Sequence, residues 1–172
     1  MRGLLNALTA ASQRSGVRLI TSYLLATVAD ERIAVPVSVV EEIVRAVALT
    51  PLPSAPAIIE GAINVRGVLL PVIDLRVRLG LPRRAIAPSD FLIVLRLPTR
   101  RAVIRVDDTD DVVQIDDAAI AVPSSLSASL AGTPVLAGVA ATADGALVIY
   151  DPAAFLSQSE LGATEEALST SS

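Results

Sequence analysis

Short apolar runs of strand length alternate with turn-forming residues along most of the chain. Val, Ile and Leu fill the runs, and Gly, Pro, Asp and Asn separate them, which is typical of β-strands joined by tight turns. The pattern predicts about ten strands and little helix, and therefore an all-β barrel or sandwich. The predicted strands lie at residues 19–28, 33–35, 43–48, 61–65, 68–73, 91–97, 102–106, 112–115, 135–142 and 146–150.

The most informative stretch is residues 61–75, which reads GAINVRGVLLPVIDL. Two apolar runs flank the dipeptide Arg66-Gly67, so the stretch predicts a hairpin with this dipeptide at its tip. Gly67 supplies the positive φ that a tight turn needs, and the Arg66 side chain projects from the tip. Pro71 has no N–H to donate to a neighbouring strand, which predicts that the second strand lies at a sheet edge or a bulge.

Two aspartates carry signals for short helical segments. Asp74 is the predicted N-cap of a turn at residues 75–79, which Gly80 would close in the left-handed conformation. Asp151 precedes a proline and is the predicted start of a short C-terminal helix that runs to residue 156.

One domain is predicted at residues 18–156, with a flexible leader at 1–17 and a flexible tail at 157–172. The leader contains several leucines, but polar residues interrupt them and the run falls short of a signal peptide. The tail is rich in Ser, Glu and Thr, a composition that favours disorder. Within the domain, the loop at residues 82–90 is the expected division between two intertwined subdomains.

Composition restricts the chemistry that the chain can perform. Hydrophobic residues make up 52% of the sequence and aromatic residues 2%, so the core must be aliphatic. The sequence contains no Cys, His or Lys. Thiol nucleophiles, imidazole bases, Schiff-base lysines and the usual zinc ligands are therefore excluded, and no catalytic residue, cofactor or metal is predicted.

Charge and hydropathy limit the class of partner. The net charge of −4 argues against nucleic acid, which would require a basic surface to replace counterions. No apolar run approaches the length of about 18 residues that a transmembrane helix requires. Other proteins are the expected partners, without direct insertion into a membrane.

An acidic segment at residues 107–111, followed by Asp116 and Asp117, raises two further possibilities. Calcium prefers several oxygen ligands close together, and paired carboxylates can catalyse hydrolysis. The segment lacks the glycine and glutamate of an EF-hand loop, and few aromatic residues are available to bind a sugar. The favoured interpretation is a turn that protects a sheet edge, with a calcium-binding β-domain and a carboxylate-dependent hydrolase as remote alternatives.

The order of these motifs resembles the CheW family of chemotaxis coupling proteins over residues 19–156. The resemblance implies two small SH3-like five-stranded β-barrel subdomains with short helical turns. It also implies a cytoplasmic adaptor without catalytic activity, which connects the tips of methyl-accepting chemoreceptors to the regulatory domain of the histidine kinase CheA. The matching elements are residues 40–43 (VEEI), Pro53, Gly61, residues 64–67 (NVRG), Pro71, residues 74–75 (DL), residues 106–107 (VD), residues 111–112 (DV), Gly138 and the closing helix.

The resemblance also assigns roles to individual residues. The residues nearest the kinase would be Leu24, Val28 and Ile33. Asn64 and Gly67 would be structural residues of the hairpin turn. The residues that face the receptor would be Val40, Glu42, Gly61, Arg66, Thr109 and Val112.

Two residues depart from the family pattern. Thr109 stands where a valine is usual, and Arg105 occupies a strand position that is usually apolar. Either would reflect a different receptor partner or an outward-facing side chain. No phosphoacceptor domain follows residue 156, so a plain adaptor is expected. Its pathway is left open between swimming chemotaxis and pilus motility or another chemosensory system.

Overall fold

A computed structural model describes residues 17–122 and 136–171 of the chain. The predicted leader up to residue 16 and the segment 123–135 lie outside the described residues. The helices in the described part are α1 (Leu75–Arg78) and α2 (Gln158–Thr170). Its strands are β1 (Ile20–Val28), β2 (Glu31–Pro36), β3 (Val40–Arg45), β4 (Ile59–Val65), β5 (Val68–Asp74), β6 (Phe91–Arg96), β7 (Arg101–Val106), β8 (Asp108–Asp116), β9 (Ile120–Ala121), β10 (Leu136–Thr142) and β11 (Gly145–Tyr150).

The strands form two sheets. Sheet A has the order β8-β1-β2-β11-β10-β9, and sheet B has the order β3-β6-β7-β5-β4. Two strand pairs, β2 with β11 and β5 with β7, are parallel, and the other pairs in both sheets are antiparallel. The predicted all-β fold with two small subdomains is confirmed. Sheet A has six strands instead of five because the two-residue strand β9 adds to its edge.

Within residues 17–122 and 136–171, the chain passes between the sheets at two places. The 3-10 turn Val37–Val39 leads from β2 in sheet A to β3 in sheet B, and Asp107 leads from β7 back to β8 in sheet A. The predicted division at residues 82–90 is wrong, because this loop connects α1 to β6 and both flanking strands belong to sheet B. A single residue, Asp107, forms the second crossing, and its N–H donates to Thr27 O at 2.8 Å.

The core consists of three apolar clusters, because the central strands present apolar side chains on both faces. Alternate residues of β1 show this arrangement: Leu24 and Val28 belong to a cluster between the sheets, whereas Tyr23 and Leu25 pack inside sheet A. A third cluster around Val103 fills the interior of sheet B. Strands buried on both faces read as continuous apolar runs, which agrees with the sequence pattern.

The β4–β5 hairpin has the predicted tip. Arg66 and Gly67 have φ values of 53° and 84°, which is the two-residue turn that fits the twist of a hairpin. The predicted edge position of the second strand is wrong, since β5 lies between β4 and β7. Pro71 is tolerated there because the pairing of β5 with β7 begins one residue later, at Val72.

The two predicted aspartate caps are present. The Asp74 carboxylate accepts the N–H of Arg76 at the start of α1, and Asp151 accepts the N–H of Ala153. The segment after Asp151 is a three-residue 3-10 turn, Pro152–Ala154, and does not continue as a helix to residue 156.

Helix α2 occupies the region predicted as a flexible tail, which corrects that prediction. Ser157 and Glu160 form a reciprocal capping box at its start, and Glu160 also forms an ion pair with Arg78. Thr164 and Ala167 are buried on its inner face. These contacts order the helix, and they cannot be inferred from the polar composition of the segment alone. Neither helix of the described residues is long and apolar enough to cross a bilayer.

The acidic segment is part of a strand, whereas the sequence predicted a turn. Its residues from Asp108 onward belong to β8, which pairs with β1 at the edge of sheet A. Asp108, Asp110 and Asp111 are exposed. Charged side chains along an edge strand discourage pairing with another chain, so the protective role predicted for the segment has a structural basis.

Candidate functional site

A groove of about 580 Å³ opens beside the outer strands of sheet B. β3 and the segment that follows it form one wall, and β4 with the hairpin tip forms the other. Its charged residues are Glu42, Arg45 and Arg66. Its apolar lining residues are Val44, Val47, Ala48, Ile63 and Val65.

Arg66 and Glu42 form an ion pair that links the two walls of the groove. Arg66 Nη2 lies 3.2 Å from Glu42 Oε2, and the two side chains are 74% and 28% exposed. The Asn64 side-chain oxygen accepts the Gly67 N–H at 2.8 Å, which holds the hairpin tip in place. The structure therefore brings together two of the predicted receptor-facing residues, and this hydrogen bond supports the structural role expected of Asn64 and Gly67.

Gly61 lies behind the groove wall and is buried. Thr50 lines the groove and forms an isolated bridge with Ala62, in which each N–H donates to the other residue's oxygen at 2.8 Å. The Thr50 backbone runs so close to Gly61 that a side chain there would collide with it. Gly61 thus supports the wall from inside, and it does not present a surface to a partner.

The other predicted receptor-facing residues lie on separate elements. Val40 is half-buried at the start of β3, two residues before Glu42, and packs against the cluster between the sheets. Thr109 and Val112 lie on β8, the edge strand of sheet A. Val112 is 54% exposed, so its side chain is available to a partner.

The residues predicted to lie nearest the kinase are core residues. Leu24, Val28 and Ile33 are 5%, 1% and 0% exposed, and all three belong to the cluster between the sheets. A direct contact with a partner is therefore excluded for these side chains in the folded protein. The prediction failed because β1 and β2 lie inside sheet A with both faces covered. The exposed side chains of this region are those of the β1–β2 turn, such as Asp30.

Arg45 also lines the groove, and no role was predicted for it from the sequence. It ends β3 opposite Phe91 of β6, and its guanidinium carbon lies 4.2 Å from the centre of the phenyl ring. The sequence contains a signal for it, a lone arginine within an apolar run, but its position depends on the register of β3 with β6. That register cannot be inferred without knowing which strands pair.

A buried ion network lies at one end of sheet B. Arg105 is 2% exposed in its side chain, and it donates to both carboxylate oxygens of Glu60 at 2.8 and 2.7 Å. It also donates to Asp90 at 3.1 Å. Of the two explanations offered for Arg105, the outward-facing side chain is therefore wrong. Three hydrogen bonds to carboxylates compensate the desolvation of its charge, which is why a strand position with an inward side chain tolerates arginine.

The network continues to the junction between the sheets. Arg84 donates to Asp90 at 2.7 Å and to Asp107 at 2.8 Å, and Arg76 donates to Asp107 at 2.5 Å. Asp107 also accepts the N–H of Ala29 in the β1–β2 turn at 2.8 Å. Asp107 thus connects sheet A to the helix and the loop that pack on sheet B.

Burial and hydrogen bonding oppose each other at these carboxyl groups. Burial alone would raise the pKa of Asp90 and of Asp107, but hydrogen bonds hold both pKa values below their usual range. Arg84 is the main donor to Asp90, and Arg76 is the main donor to Asp107. The pKa of Glu60 shifts in the opposite direction. Burial raises its pKa, and the negative charges of Asp74 and Asp90 act in the same direction against Arg105.

A second cavity of about 400 Å³ lies over this network. Glu60, Asp74 and Arg84 contribute to its lining. Every one of these side chains is already engaged in ion pairs or hydrogen bonds. Across the described residues, no group of three or more acidic side chains has an arrangement that could hold a metal ion.

Comparisons with known proteins show which family the chain resembles. The family description "CheW-like domain" matches residues 22–160. The chain is 33% identical to the chemotaxis protein CheW of Rhizobium meliloti over 52% of its own length and 58% of that protein. It is 29% identical to the chemotaxis protein CheW of Klebsiella aerogenes, over 90% of its own length and 92% of that relative.

A solved structure extends the similarity to three dimensions. The scaffolding protein TtCheW from Thermoanaerobacter tengcongensis superimposes with a TM-score of 0.70 and 29% sequence identity, covering 78% of this chain and 86% of that protein. Because the family description spans most of the chain and the arrangement of sheets follows the same fold, the chain belongs to the CheW family.

Proposed function

We propose that the chain is a non-enzymatic adaptor that binds a chemoreceptor tip and the regulatory domain of a CheA-type histidine kinase at the same time. Membership of the CheW family supports a scaffold role. The observation that carries the receptor assignment is the groove beside β3 and β4, where the exposed Arg66–Glu42 pair lies above an apolar lining. Such a site offers hydrophobic contact area together with charges that fix the orientation of a partner.

The adaptor acts by holding its two partners in a fixed arrangement. Bound on one side to a receptor and on the other to the kinase, it holds the kinase where a conformational change of the receptor alters the populations of its active and inactive states. No bond is made or broken in this mechanism. It requires a cytoplasmic location at membrane-anchored receptor arrays.

The two binding surfaces are distinct in this proposal. The groove and the exposed Val112 of β8 face the receptor, with Thr109 and Val40 close to them in the chain. The kinase contact uses the exposed β1–β2 turn around Asp30 and Arg32, since the strand residues on either side of it are buried.

Titration of the purified chain with a receptor-tip fragment and with a kinase regulatory domain tests the proposal. Two binary complexes and one ternary complex are expected in size-exclusion chromatography and calorimetry. Mutually exclusive binding would contradict an adaptor with two surfaces. Failure to bind either protein would overturn the proposed function as a whole.

A further inference from the structure

Two contacts orient the Arg45 side chain at the groove. Its guanidinium lies over the Phe91 ring at 4.2 Å, and Nη1 donates to the carbonyl oxygen of Ser89 at 3.1 Å. The residue is nevertheless exposed, so its remaining N–H groups can reach a partner. An arginine that is already oriented loses less side-chain entropy on binding than a mobile one.

The charges of the groove do not balance. Glu42 is engaged by Arg66 at 3.2 Å, which leaves Arg45 as the excess positive charge. Among the ion pairs that join described residues, none includes Arg45. The chain as a whole carries a charge of −4, so this local excess runs against the overall charge.

The remaining lining is suited to an apolar helix face. Val47 and Ala48 are exposed and Val44 is half-buried on one side, whereas Ile63 and Val65 on the other side are core residues that expose only 6% and 7% of their surface. Val47 is 55% exposed, so part of this surface is in contact with water until a partner covers it. An amphipathic helix laid in such a groove contacts it through side chains spaced three and four residues apart.

We propose that Arg45 is a specificity-determining residue that binds a carboxylate on the helix that occupies this groove. The inference rests on the proposed receptor-binding function and adds the chemistry of the partner. That partner is a helix with an apolar stripe and an Asp or Glu placed to meet Arg45, where the planar guanidinium can form a paired hydrogen bond with the carboxylate.

Discrimination follows from the same arrangement. A helix with Lys or Arg at the corresponding position would bring two like charges together in the partly desolvated groove, which disfavours the wrong partner more strongly than a missing contact does. A helix with a neutral residue there would leave Arg45 without a charged partner and would bind with intermediate affinity.

The test compares Arg45→Met with Arg83→Met in binding to a chemoreceptor-tip fragment. Arg83 is a matched control, since it is also exposed, has only a backbone carbonyl as partner, Ala57 O at 2.7 Å, and lines the other cavity. Arg45→Met should weaken binding about tenfold at low salt, and Arg45→Glu should weaken it further. Arg83→Met should match the wild type. Raising the salt concentration should reduce the difference in affinity between the wild type and Arg45→Met.

A second experiment removes charges from the receptor fragment instead of from this chain. Receptor fragments in which single Asp or Glu residues of the tip are changed to Asn or Gln should include one that weakens wild-type binding but not that of Arg45→Met. Equal affinities of wild type and Arg45→Met for the unaltered fragment would overturn this inference and leave the proposed function intact. Absence of wild-type binding would overturn the proposed function and this inference with it.

Discussion

A Cβ atom placed on Gly61 would lie 2.7 Å from the backbone oxygen of Thr50. Real Cβ atoms do not approach a backbone oxygen so closely, so one of the two segments would have to move. Thr50 is held by two hydrogen bonds to Ala62 and lines the groove, so its displacement would alter the binding surface. Position 61 therefore requires glycine both for the close approach of Thr50, which shapes the groove wall, and for its backbone φ of 156°, which other residues rarely adopt.

Gly61→Ala should lower both stability and receptor affinity. The added methyl group forces the Thr50 segment away from β4, and we expect a loss of about 1–3 kcal/mol in the free energy of unfolding. Chemical denaturation measures this loss. Gly162→Ala is the control, because Gly162 lies in α2 with open space around it, and this substitution should stabilise the helix by about 0.5–1 kcal/mol. Equal effects of the two variants would show that the close contact is unimportant.

Arg66→Ala should separate binding from stability. The Arg66 side chain is 74% exposed, so its ion pair with Glu42 should contribute less than about 0.5 kcal/mol to the free energy of unfolding. If Arg66 is a central contact of the receptor, the substitution should cost about 2 kcal/mol of receptor affinity, or roughly thirtyfold. Paired titrations against the receptor tip and the kinase regulatory domain measure the difference. Equal losses for both partners would refute separate surfaces.

The features predicted correctly from the sequence depend on residues close together in the chain. The Arg66-Gly67 turn and the cap of α1 by Asp74 involve contacts within three positions. Turn chemistry of this kind is set locally, so a pattern of residues suffices to identify it. The Arg66–Glu42 contact spans 24 positions, and only the resemblance to a known family placed both residues on one surface.

The features that were missed depend on distant parts of the chain. The buried position of Arg105 is possible only because Glu60 and Asp90, which lie 45 and 15 positions away, reach the same point. The burial of Leu24 requires sheet B to cover one face of β1, and alternation along a single strand cannot show what lies opposite. The division of the chain into sheets follows from strand order, which is set by packing of the whole domain.

The ion network should make stability sensitive to acid. The pKa values of Asp90 and Asp107 are lower in the folded protein than their usual values, so their contribution is fully present at neutral pH. It should disappear as the pH falls below about 4. The contribution of Glu60 to stability changes with pH in the opposite direction. Its raised pKa favours proton uptake by the folded state, so acid stabilises the fold at this residue and offsets part of the loss. Denaturation curves between neutral and acidic pH measure the sum.

Arg84→Met tests which carboxyl groups cause this dependence. Loss of the Arg84 guanidinium leaves Asp90 and Asp107 with fewer partners, so we expect the free energy of unfolding to fall by about 2 kcal/mol at neutral pH. The fall is smaller than for a fully buried pair because Arg84 is partly exposed. The difference in the free energy of unfolding between the variant and the wild type should become smaller below about pH 4, where both carboxyl groups become protonated. Arg83→Met, at the neighbouring position, should show no such dependence. A gap that stays constant with pH would mean that packing, and not charge, is lost.

Helix α2 should depend on its N-terminal cap. The Glu160 N–H donates to the Ser157 hydroxyl at 3.3 Å, and the Ser157 N–H donates to the Glu160 carboxylate at 2.7 Å, so two otherwise unpaired backbone groups are satisfied. Ser157→Ala should cost about 1 kcal/mol and speed hydrogen exchange in the first turns of the helix. Ser169→Ala is the matched control: its hydroxyl donates to Glu165 O late in the same helix, a bond that does not support the backbone, and its loss should be nearly neutral. If both serine variants exchange as slowly as the wild type, packing of Thr164 and Ala167 alone orders the helix, and the cap contributes nothing.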